Sequence, residues 1–439
     1  MMTFATTPSS QAVEAESPKS GERLVLMGQG YVGLPVAMQA VARGYSVVGF
    51  DVDEARVKRL NAGESYVEDI TDDVLQAALA TGRYTATTAE RDCSGFDVAV
   101  ITVPTPLRDG APDLSYIEAS ARTLGRYLRP GATVVLESTT YPGTTEELVK
   151  PILEEMSGLL AGADFHLGYS PERIDPGNQN WGFVNTPKVV SGIDDASLAA
   201  VDAFYSSLVD RTVPVAGTKE AELTKLLENT FRHVNIALVN ELAMFAGDLG
   251  IDVWSAIDAA STKPFGYMRF TPGPGVGGHC LPIDPSYLSW RVRRSLGHTF
   301  RFVELANDVN DHMPDYVVRR LTYGLNRRRK PLNGSRLLLL GLAYKRNTSD
   351  SRESPARVVA ERLVALGADV RVVDNHVGLG ALPLGVELSS LTAEEIRAAD
   401  AVVMLTDHED FDLDLVVGHA PYILDTRRVV PSADHVEYL

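Results

Sequence analysis

One stretch near the N-terminus constrains the fold of this chain more than any other part of its 439 residues. The apolar run at residues 23–27 is followed at once by the glycine pattern GQGYVG at residues 28–33, a helix-like segment, and a second apolar run that ends in Asp51. A strand, a glycine turn that opens a helix, and a second strand ending in an acid form the dinucleotide-binding βαβ unit. The sequence therefore predicts a Rossmann-like domain after the first twenty residues.

Each glycine of this pattern has its own physical role. Gly28 permits the tight turn after the strand, Gly30 lets a pyrophosphate approach the backbone, and Gly33 allows the helix to pack closely on the strand. We also expect Tyr31 and Val32 to contact the cofactor, because they lie in the turn before the helix, whose unpaired N–H groups attract phosphate.

The acid after the second strand and the ends of two later strands predict which dinucleotide binds. Asp51 would accept hydrogen bonds from ribose hydroxyls and repel a 2′-phosphate, so NAD is favoured over NADP. Binding of NADP is not excluded, because Arg56 follows closely in sequence and carries a positive charge. Ligands bind outside the carboxyl ends of such strands, where this chain has hydroxyls and prolines. We expect these residues to line the nicotinamide pocket: Thr102, Pro104, Thr105 and Thr139.

Alternating apolar runs and helix-length segments predict an α/β fold with two Rossmann-like, doubly wound parallel-sheet domains. A helical middle region joins them and contains a long central helix, because no glycine or proline interrupts residues 219–246 and apolar residues recur at helical spacing. The predicted parts are a disordered tail at 1–20, an NAD-binding domain at 21–217, a central helical domain with subunit contacts at 218–330, and a Rossmann-like domain at 331–439.

Individual strands are predicted wherever a short apolar run lies between turn signals. In the first domain, beyond those already given, these runs lie at 96–103, 132–136, 166–169, 188–191 and 211–215. In the last domain they lie at 335–340, 370–373, 401–405 and 422–424, with a helix at 355–366.

Composition excludes several classes of partner. The net charge of −17 argues against non-specific binding to nucleic acid and against docking on an anionic membrane. The apolar runs are too short to span a bilayer, and the first twenty residues lack the features of a signal peptide. Two cysteines far apart suggest no disulfide framework, so a cytoplasmic protein without nucleic-acid or membrane partners is expected.

One of the two cysteines lies in an unusual loop. Cys280 stands in the segment PGPGVGGHCLPID at residues 272–284. Glycines let backbone N–H groups and a substrate approach a nucleophilic thiolate, although this segment alone leaves a tight structural turn equally open. Cys93 has no such surroundings and is expected to be an inert thiol.

Six ordered blocks carry a resemblance to the UDP-glucose/GDP-mannose dehydrogenase family over essentially the whole chain after the tail. The blocks are the glycine pattern with Asp51, VPTP at 103–106 with ST at 138–139, SPER at 170–173, ELTKLLEN at 222–229, the cysteine segment at 277–284, and Lys345 with DSRESP at 350–355. The resemblance implies a four-electron, NAD-dependent oxidation of the C6 alcohol of a nucleotide diphosphosugar to a carboxylate.

In this chemistry the aldehyde formed first would add the Cys280 thiolate, giving a thiohemiacetal that is oxidised to a thioester and then hydrolysed. Lys225 and Asn229 lie four residues apart on the predicted helix and so share a face, from which they can stabilise the anionic oxygen. Glu172 is the candidate general acid/base. Asp284 would orient the hydrolytic water or tune the thiol, and a helix after Cys280 would bring both onto one side.

The substrate needs local cations in so acidic a chain, and the resemblance places several residues around it. The expected substrate-binding residues are Glu172, Arg173, Lys225, Asn229, Arg269, Gly277, Lys345 and Arg352, with Lys345 also near the cofactor. No direct role is expected of His279, because adjacent side chains diverge. No metal is expected, and the long helix and the resemblance imply a homodimer or higher homo-oligomer.

Several functions remain open at this point. The His279 and Pro282 variant of the cysteine segment is similar to the branch that oxidises UDP-N-acetylhexosamines, so the expected substrate is such a sugar or UDP-glucose. TDP-glucose, as in antibiotic sugar biosynthesis, is an alternative. A two-electron dehydrogenase that does not use Cys280 and a non-catalytic nucleotide-sugar sensor are the rivals from other classes.

Overall fold

The computed structural model of the protein describes residues 21–67, 69–108, 110–175, 178, 180–278, 281 and 283–439. The chain forms two compact units, the first ending at Lys225 and the second running from Leu226 to Leu439. None of the helices in the described ranges combines the length and the apolarity that crossing a membrane requires.

Ten short strands form in the described part of the first unit. They are β1 (Arg23–Met27), β2 (Ser46–Phe50), β3 (Tyr84–Thr87), β4 (Val98–Ile101), β5 (Leu107–Arg108), β6 (Ala111–Pro112), β7 (Thr133–Leu136), β8 (His166–Tyr169), β9 (Lys188–Gly192) and β10 (Thr212–Pro214). Strands β5 and β6 make a small antiparallel pair, and the others form one sheet in the order β10-β9-β8-β7-β4-β1-β2-β3. The order β3-β2-β1-β4 is that of a dinucleotide-binding sheet.

Helices cover both faces of this sheet. They are α1 (Gly33–Ala42), α2 (Glu54–Asn61), α3 (Asp72–Ala80), α4 (Ser115–Tyr127), α5 (Lys150–Ser157) and α6 (Asp195–Ser206). Alternate residues of β1 point to opposite faces, so Leu24 and Leu26 enter the core under α1, whereas Val25 and Met27 enter the core under α4 and α5. Burial on both faces explains why these strands read as continuous apolar runs.

One strand pair departs from the parallel pattern. Strand β9 runs antiparallel to β8, with Gly168 opposite Gly192 and Tyr169 opposite Ser191. A parallel neighbour needs a crossover, usually a helix, and the described residues between β8 and β9 form none. The chain therefore turns back along β8, and the first residue of β9 lies at the carboxyl edge of the sheet.

A single long helix, α7 (Thr218–Asp248), begins in the first unit and continues into the second. Its 31 residues correspond to a length of roughly 46 Å. The uninterrupted span predicted at residues 219–246 lies within it, one residue short at the N-terminal end and two at the C-terminal end. The helices α8 (Val253–Ser261), α9 (Asp284–Leu296) and α10 (Arg301–Arg327) follow, so the predicted helical middle region is confirmed.

The second unit ends in a parallel sheet of its own. Its strands are β11 (Arg336–Leu340), β12 (Asp369–Val373), β13 (Val386–Leu388), β14 (Ala401–Met404), β15 (Ile423–Asp425) and β16 (Val436–Tyr438), in the order β13-β12-β11-β14-β15-β16. The helices α11 (Pro355–Ala365), α12 (Ala393–Ala398) and α13 (Leu413–His419) accompany them. Both large sheets thus have the Rossmann strand order, which confirms the predicted fold class.

Candidate active site

The glycine loop after β1 has the geometry that its sequence predicts. Gly28 has a φ of +95°, and a Cβ atom there would lie 2.9 Å from the carbonyl oxygen of Thr102. A Cβ atom on Gly33 would lie 2.0 Å from the carbonyl oxygen of Gly28, whereas one on Gly30 would have no heavy atom within 4 Å. The loop is therefore closed where α1 packs on the turn and open at Gly30, where a pyrophosphate can reach the backbone.

Asp51 stands where the ribose acceptor is expected. It directly follows β2, is 6% exposed, and accepts hydrogen bonds from the backbone N–H groups of Gln29 (2.9 Å) and Asp53 (3.0 Å). Arg56, which is half exposed, lies 3.8 Å from the same carboxylate. A carboxylate offers about four acceptor positions, so the two backbone bonds leave capacity for a ribose. The residues present therefore fit NAD.

The predicted nicotinamide residues follow β4 and β7, which are neighbours in the sheet. The hydroxyl of Thr102 donates to the carbonyl oxygens of Met27 (2.9 Å) and Gly28 (3.0 Å), so this side chain braces the glycine loop. The hydroxyl of Thr105 donates to the carbonyl oxygen of Thr139 at 2.8 Å and ties the two strand ends together. Pro104 lies between them and is exposed.

Glu172 lies in a buried charged cluster that the sequence did not predict. Its Oε1 accepts from the backbone N–H of Arg173 at 2.6 Å and from that of Ile174, and its Oε2 lies 3.5 Å from the ammonium of Lys188. Lys188 also contacts Glu137, the residue directly after β7. Two features of the sequence could have indicated this cluster: Glu137 directly follows one apolar run, and Lys188 begins another.

Charge and burial compete in this cluster. Burial disfavours the charged form of Glu172, but Lys188, the Ile174 N–H group and Lys225 outweigh it and hold the pKa of Glu172 below its ordinary value. Burial raises the pKa of Glu137, against the attraction of Lys188. Burial alone would lower the pKa of Lys188, yet the two carboxylates raise it. Glu172 is therefore a proton acceptor at neutral pH.

Helix α7 carries two of the predicted catalytic residues and one that was overlooked. Lys225 and Asn229 are one turn apart and are 8% and 4% exposed. Glu222, which is fully buried, accepts hydrogen bonds from the N–H groups of Gly143 and Thr145, the latter at 2.9 Å. Burial raises the pKa of Glu222 to about 7. Glu222 thus anchors the loop after β7, a role that its place in the ELTKLLEN block did not indicate.

In the second unit the structure brings Asn229 and Asp284 together. The side-chain amide of Asn229 donates to Oδ2 of Asp284 at 2.6 Å, and Asp284 is 3% exposed. Asp284 is the first residue of α9. The expectation that Cys280 and Asp284 lie on one side stays a prediction. Cys280 lies outside the described residues, as do His279 and Pro282.

The glycine-rich loop before Cys280 packs tightly against other parts of the second unit. The backbone N–H of Gly273 donates to the side chain of Asn240 on α7 at 3.0 Å. A Cβ atom on Gly277 would lie 2.8 Å from Pro355, and one on Gly278, whose φ is +92°, would lie 2.8 Å from the ring of Tyr344. These glycines are needed for close backbone packing, a reason for them that differs from the predicted approach of a substrate.

The predicted substrate cations occupy several different places. Arg173 donates to the carbonyl oxygen of Pro187 at 2.6 Å in the first unit. In the second unit Arg269 pairs with Asp258 of α8 at 2.8 Å, and the exposed Arg352 pairs with Asp350 at 3.0 Å. Lys345, which is half-buried, lies in the loop after β11. Their contacts with substrate stay predictions.

The second unit repeats the acid of the first in another form. Asp374 follows β12 as Asp51 follows β2, and it accepts from the backbone N–H groups of Leu342 (2.7 Å) and Ala343 (3.0 Å). Unlike Asp51, it also contacts a histidine ring, with Nε2 of His408 3.1 Å away. Despite burial, these hydrogen bonds hold the pKa of Asp374 well below its usual range. Its acceptor positions are occupied by the protein.

Two further expectations concern cysteine and metal. Cys93 is fully buried in the core of the first unit, and burial raises its pKa to about 12, which agrees with an inert thiol. Among the residues that the structure describes, no group of three or more His, Cys, Asp or Glu side chains is placed to hold a metal ion. The absence of a metal stays a prediction.

Comparison with known proteins identifies similar sequences over most of the chain. Sequence models of the UDP-glucose/GDP-mannose dehydrogenase family match residues 22–209 as the NAD binding domain, 219–312 as the central domain and 338–432 as the UDP binding domain. The UDP-N-acetyl-D-mannosamine dehydrogenase of Pyrococcus horikoshii is 36% identical over 390 residues, 89% of this chain and 90% of that protein.

A second relative and a solved structure agree with this match. The UDP-N-acetyl-D-glucosamine 6-dehydrogenase of Pseudomonas aeruginosa is 34% identical over 392 residues, 89% of this chain and 91% of that protein. The structure of a UDP-glucose dehydrogenase from the archaeon Pyrobaculum islandicum superposes with a TM-score of 0.85 at 30% identity, covering 98% of this chain and 99% of that one.

Proposed function

This chain belongs to the UDP-glucose/GDP-mannose dehydrogenase family and is an NAD-dependent nucleotide-sugar dehydrogenase, and on that premise we propose that it oxidises the C6 alcohol of a UDP-sugar to the carboxylate. Bound NAD would supply the hydride acceptor for each of the two successive oxidations. The observation that carries the proposal is the buried hydrogen bond between Asn229 and Asp284, because it holds an ionisable acid four residues after Cys280 in sequence.

In the proposed reaction Cys280 makes the second oxidation feasible. Its thiolate adds to the C6 aldehyde, and the resulting thiohemiacetal loses a hydride and becomes a thioester. Water then attacks the thioester carbon, the C–S bond breaks, and the sugar leaves as a carboxylic acid while the thiolate is restored. One sugar therefore reduces two molecules of NAD and consumes one water.

Four further residues have proposed roles. Lys225 and Asn229 stabilise the negatively charged oxygen of each step, which their position one turn apart on α7 supports. Glu172 accepts the proton of the attacking water, since its lowered pKa leaves it ionised. Asp284, oriented by Asn229, holds that water or tunes the Cys280 thiol.

The proposed substrate is a UDP-N-acetylhexosamine. Two relatives that align over most of their length with this chain are named as dehydrogenases of UDP-N-acetyl-D-mannosamine and UDP-N-acetyl-D-glucosamine. UDP-glucose is the second candidate, supported by the similar fold of the Pyrobaculum islandicum enzyme. We propose that the second unit holds the nucleotide through Lys345 and Arg352, with Gly277, Arg173 and Arg269 near the sugar and diphosphate.

The test is a substrate panel that counts NADH formed per sugar. We expect the wild-type protein to form two NADH per UDP-N-acetylhexosamine. The variant Cys280→Ser should form no NADH beyond that of the first oxidation, whereas the matched variant Cys93→Ser should keep the wild-type ratio. TDP-glucose and GDP-mannose complete the panel. A ratio of one NADH per sugar with the wild-type protein would reject the thioester route and favour a two-electron dehydrogenase, and no NADH with any of these sugars would favour a non-catalytic sensor.

We propose the same three domains that the sequence predicts, with the cofactor at 21–217, the cysteine loop and subunit contacts at 218–330, and the nucleotide sugar at 331–439. The three matched family ranges support this division. Expression of residues 21–217 alone would test it, because an independent cofactor domain should bind NAD with an affinity near that of the full chain.

A homo-oligomer is also proposed, on the basis of an apolar stripe on α7. Five large apolar side chains on one face of this helix are each 36–63% exposed: Leu227, Phe231, Leu238, Leu242 and Phe245. A continuous exposed apolar face of this kind marks a protein–protein contact, and a second copy of the chain can cover it by two-fold symmetry. Sedimentation of the wild-type protein and of Leu238→Glu should give an oligomer and a smaller species; a wild-type monomer would contradict the proposal.

A further inference from the structure

The buried charged cluster of the first unit contains a lysine to which the proposed reaction gives no role. The side chain of Lys188 is 5% exposed, that of Glu137 is fully buried, and that of Glu172 is 12% exposed. The hydroxyl of Tyr205, on α6, donates to Oε2 of Glu137 at 2.8 Å. A buried ammonium costs several kcal/mol unless it is paired, so the position of Lys188 is set by its carboxylates.

The antiparallel turn between β8 and β9 explains how a lysine comes to this place. Strand β9 is paired with β8 as far as Tyr169 and Ser191; continuing that register beyond the end of β8 leads to Glu172 opposite Lys188, and the Lys188 ammonium lies 3.5 Å from Oε2 of Glu172. Had β9 run parallel to β8, its first residue would lie at the other edge of the sheet, away from the carboxyl ends of the strands. The departure from the parallel pattern therefore delivers a positive charge to the edge where ligands bind.

The two carboxylates use Lys188 differently. Glu137 also accepts from Tyr205, and its whole environment is protein. Glu172 has its Oε1 taken by two backbone N–H groups and directs its Oε2 toward Lys188. Lys188 therefore fixes the orientation of the one carboxylate in this pair that remains partly exposed.

We propose that Lys188 is a positioning residue that keeps Glu172 ionised and oriented for accepting the proton of the water that hydrolyses the thioester. This rests on the proposed function of Glu172. The charged and titratable groups that act on Glu172 come from four elements: Glu137 after β7, Lys188 on β9, Tyr205 on α6 and Lys225 on α7. Lys188 is the cation in direct contact, and burial and Glu137 both oppose it.

The test compares Lys188→Met with the conservative variant Lys188→Arg. Removing an opposite charge within about 4–6 Å raises the pKa of a carboxyl by about 1–3 units, so the acidic limb of the kcat–pH profile of Lys188→Met should move upward by about one pH unit or more. Lys188→Arg keeps the charge and should keep the wild-type profile. At pH 6.5 the Lys188→Met protein should also accumulate a covalent sugar adduct on Cys280, visible by mass spectrometry after a rapid quench.

Two controls separate this inference from the function on which it rests. If Lys188→Met fails to fold, the double variant Glu137→Gln/Lys188→Met removes the ion pair as a whole and should show a shift in the same direction but smaller, because the repulsion between Glu137 and Glu172 is removed as well. The role of Lys188 would be overturned if Glu172→Gln lowers kcat but the variants without the lysine charge show neither a shift of the acidic limb of the kcat–pH profile nor an adduct on Cys280. Wild-type kcat in Glu172→Gln would instead overturn the proposed role of Glu172, and with it this inference.

Discussion

Substituting Gly33 by alanine should destabilise the first unit because α1 begins in contact with the glycine loop. The added Cβ atom would lie 2.0 Å from the carbonyl oxygen of Gly28 and 2.6 Å from the hydroxyl of Thr102. Ordinary contact begins near 3.4 Å, so helix and loop must separate by about 1.4 Å. The nearest atom is backbone, and no rotation of a side chain can relieve the contact.

Overpacking of this kind costs about 1–3 kcal/mol. For a unit of this size each kcal/mol lowers the unfolding temperature by roughly 2–4 °C, so Gly33→Ala should lower the thermal transition of the first unit by roughly 2–12 °C. Separation of α1 from the loop also disturbs the N–H groups that face the pyrophosphate, and NAD affinity should fall with stability.

Gly30→Ala is the matched control in the same loop, since a Cβ atom there meets no heavy atom within 4 Å. It should keep the wild-type unfolding temperature but weaken NAD binding by about 1–3 kcal/mol, or roughly 5- to 150-fold, because the methyl group occupies the approach of the pyrophosphate. Differential scanning calorimetry and titration calorimetry with NAD measure both quantities. Equal unfolding temperatures for Gly33→Ala and the wild type would refute the packing argument.

Three further outcomes follow from buried polar groups. Asn229→Leu removes a donor to the buried carboxylate of Asp284 and should lower the unfolding free energy in urea by about 1.5–3 kcal/mol; no change would show that other donors suffice. Folded Glu222 keeps its proton to about pH 7, whereas an unfolded glutamate loses it near pH 4.3, so the unfolding free energy falls as pH rises through that window. Glu222→Gln should remove this part of the pH dependence, which amounts to at most about 4 kcal/mol. Because the pKa of Asp374 is lowered in the folded protein, its ionised side chain stabilises the fold above about pH 4, and this stabilisation is lost as pH falls further. Asp374→Asn should therefore have a lower unfolding free energy than the wild type at pH 7 but lose less of it on acidification to pH 3.

Much of the fold could be predicted because its signals are local. Strands buried on both faces read as short apolar runs, and the segment at 219–246 has a helical pattern without glycine or proline. Some edge strands lack that signal. Strand β3 (Tyr84–Thr87) closes one edge of the first sheet with two threonines among four residues, and it was missed.

The site was predicted less completely, since its contacts join residues distant in sequence. The glycine loop and Asp51 lie within one βαβ unit, where spacing determines geometry. Lys188 is 51 residues from Glu137 and 16 from Glu172, and only the antiparallel return of β9 brings the three together. No local pattern encodes the direction of a strand relative to its neighbour, so a buried lysine looked like the ordinary start of a strand.

Asp374 of the second sheet bears on which of the two similar sheets can bind a dinucleotide. Both sheets share a strand order, but Asp374 already accepts from Leu342 and Ala343 and contacts His408, whereas Asp51 retains acceptor capacity. A dinucleotide that relied on its ribose would have to displace protein donors from Asp374, whereas Asp51, with two backbone donors, has acceptor positions left. The occupied acceptor positions of Asp374 therefore disfavour NAD binding at the second sheet, without any difference in topology.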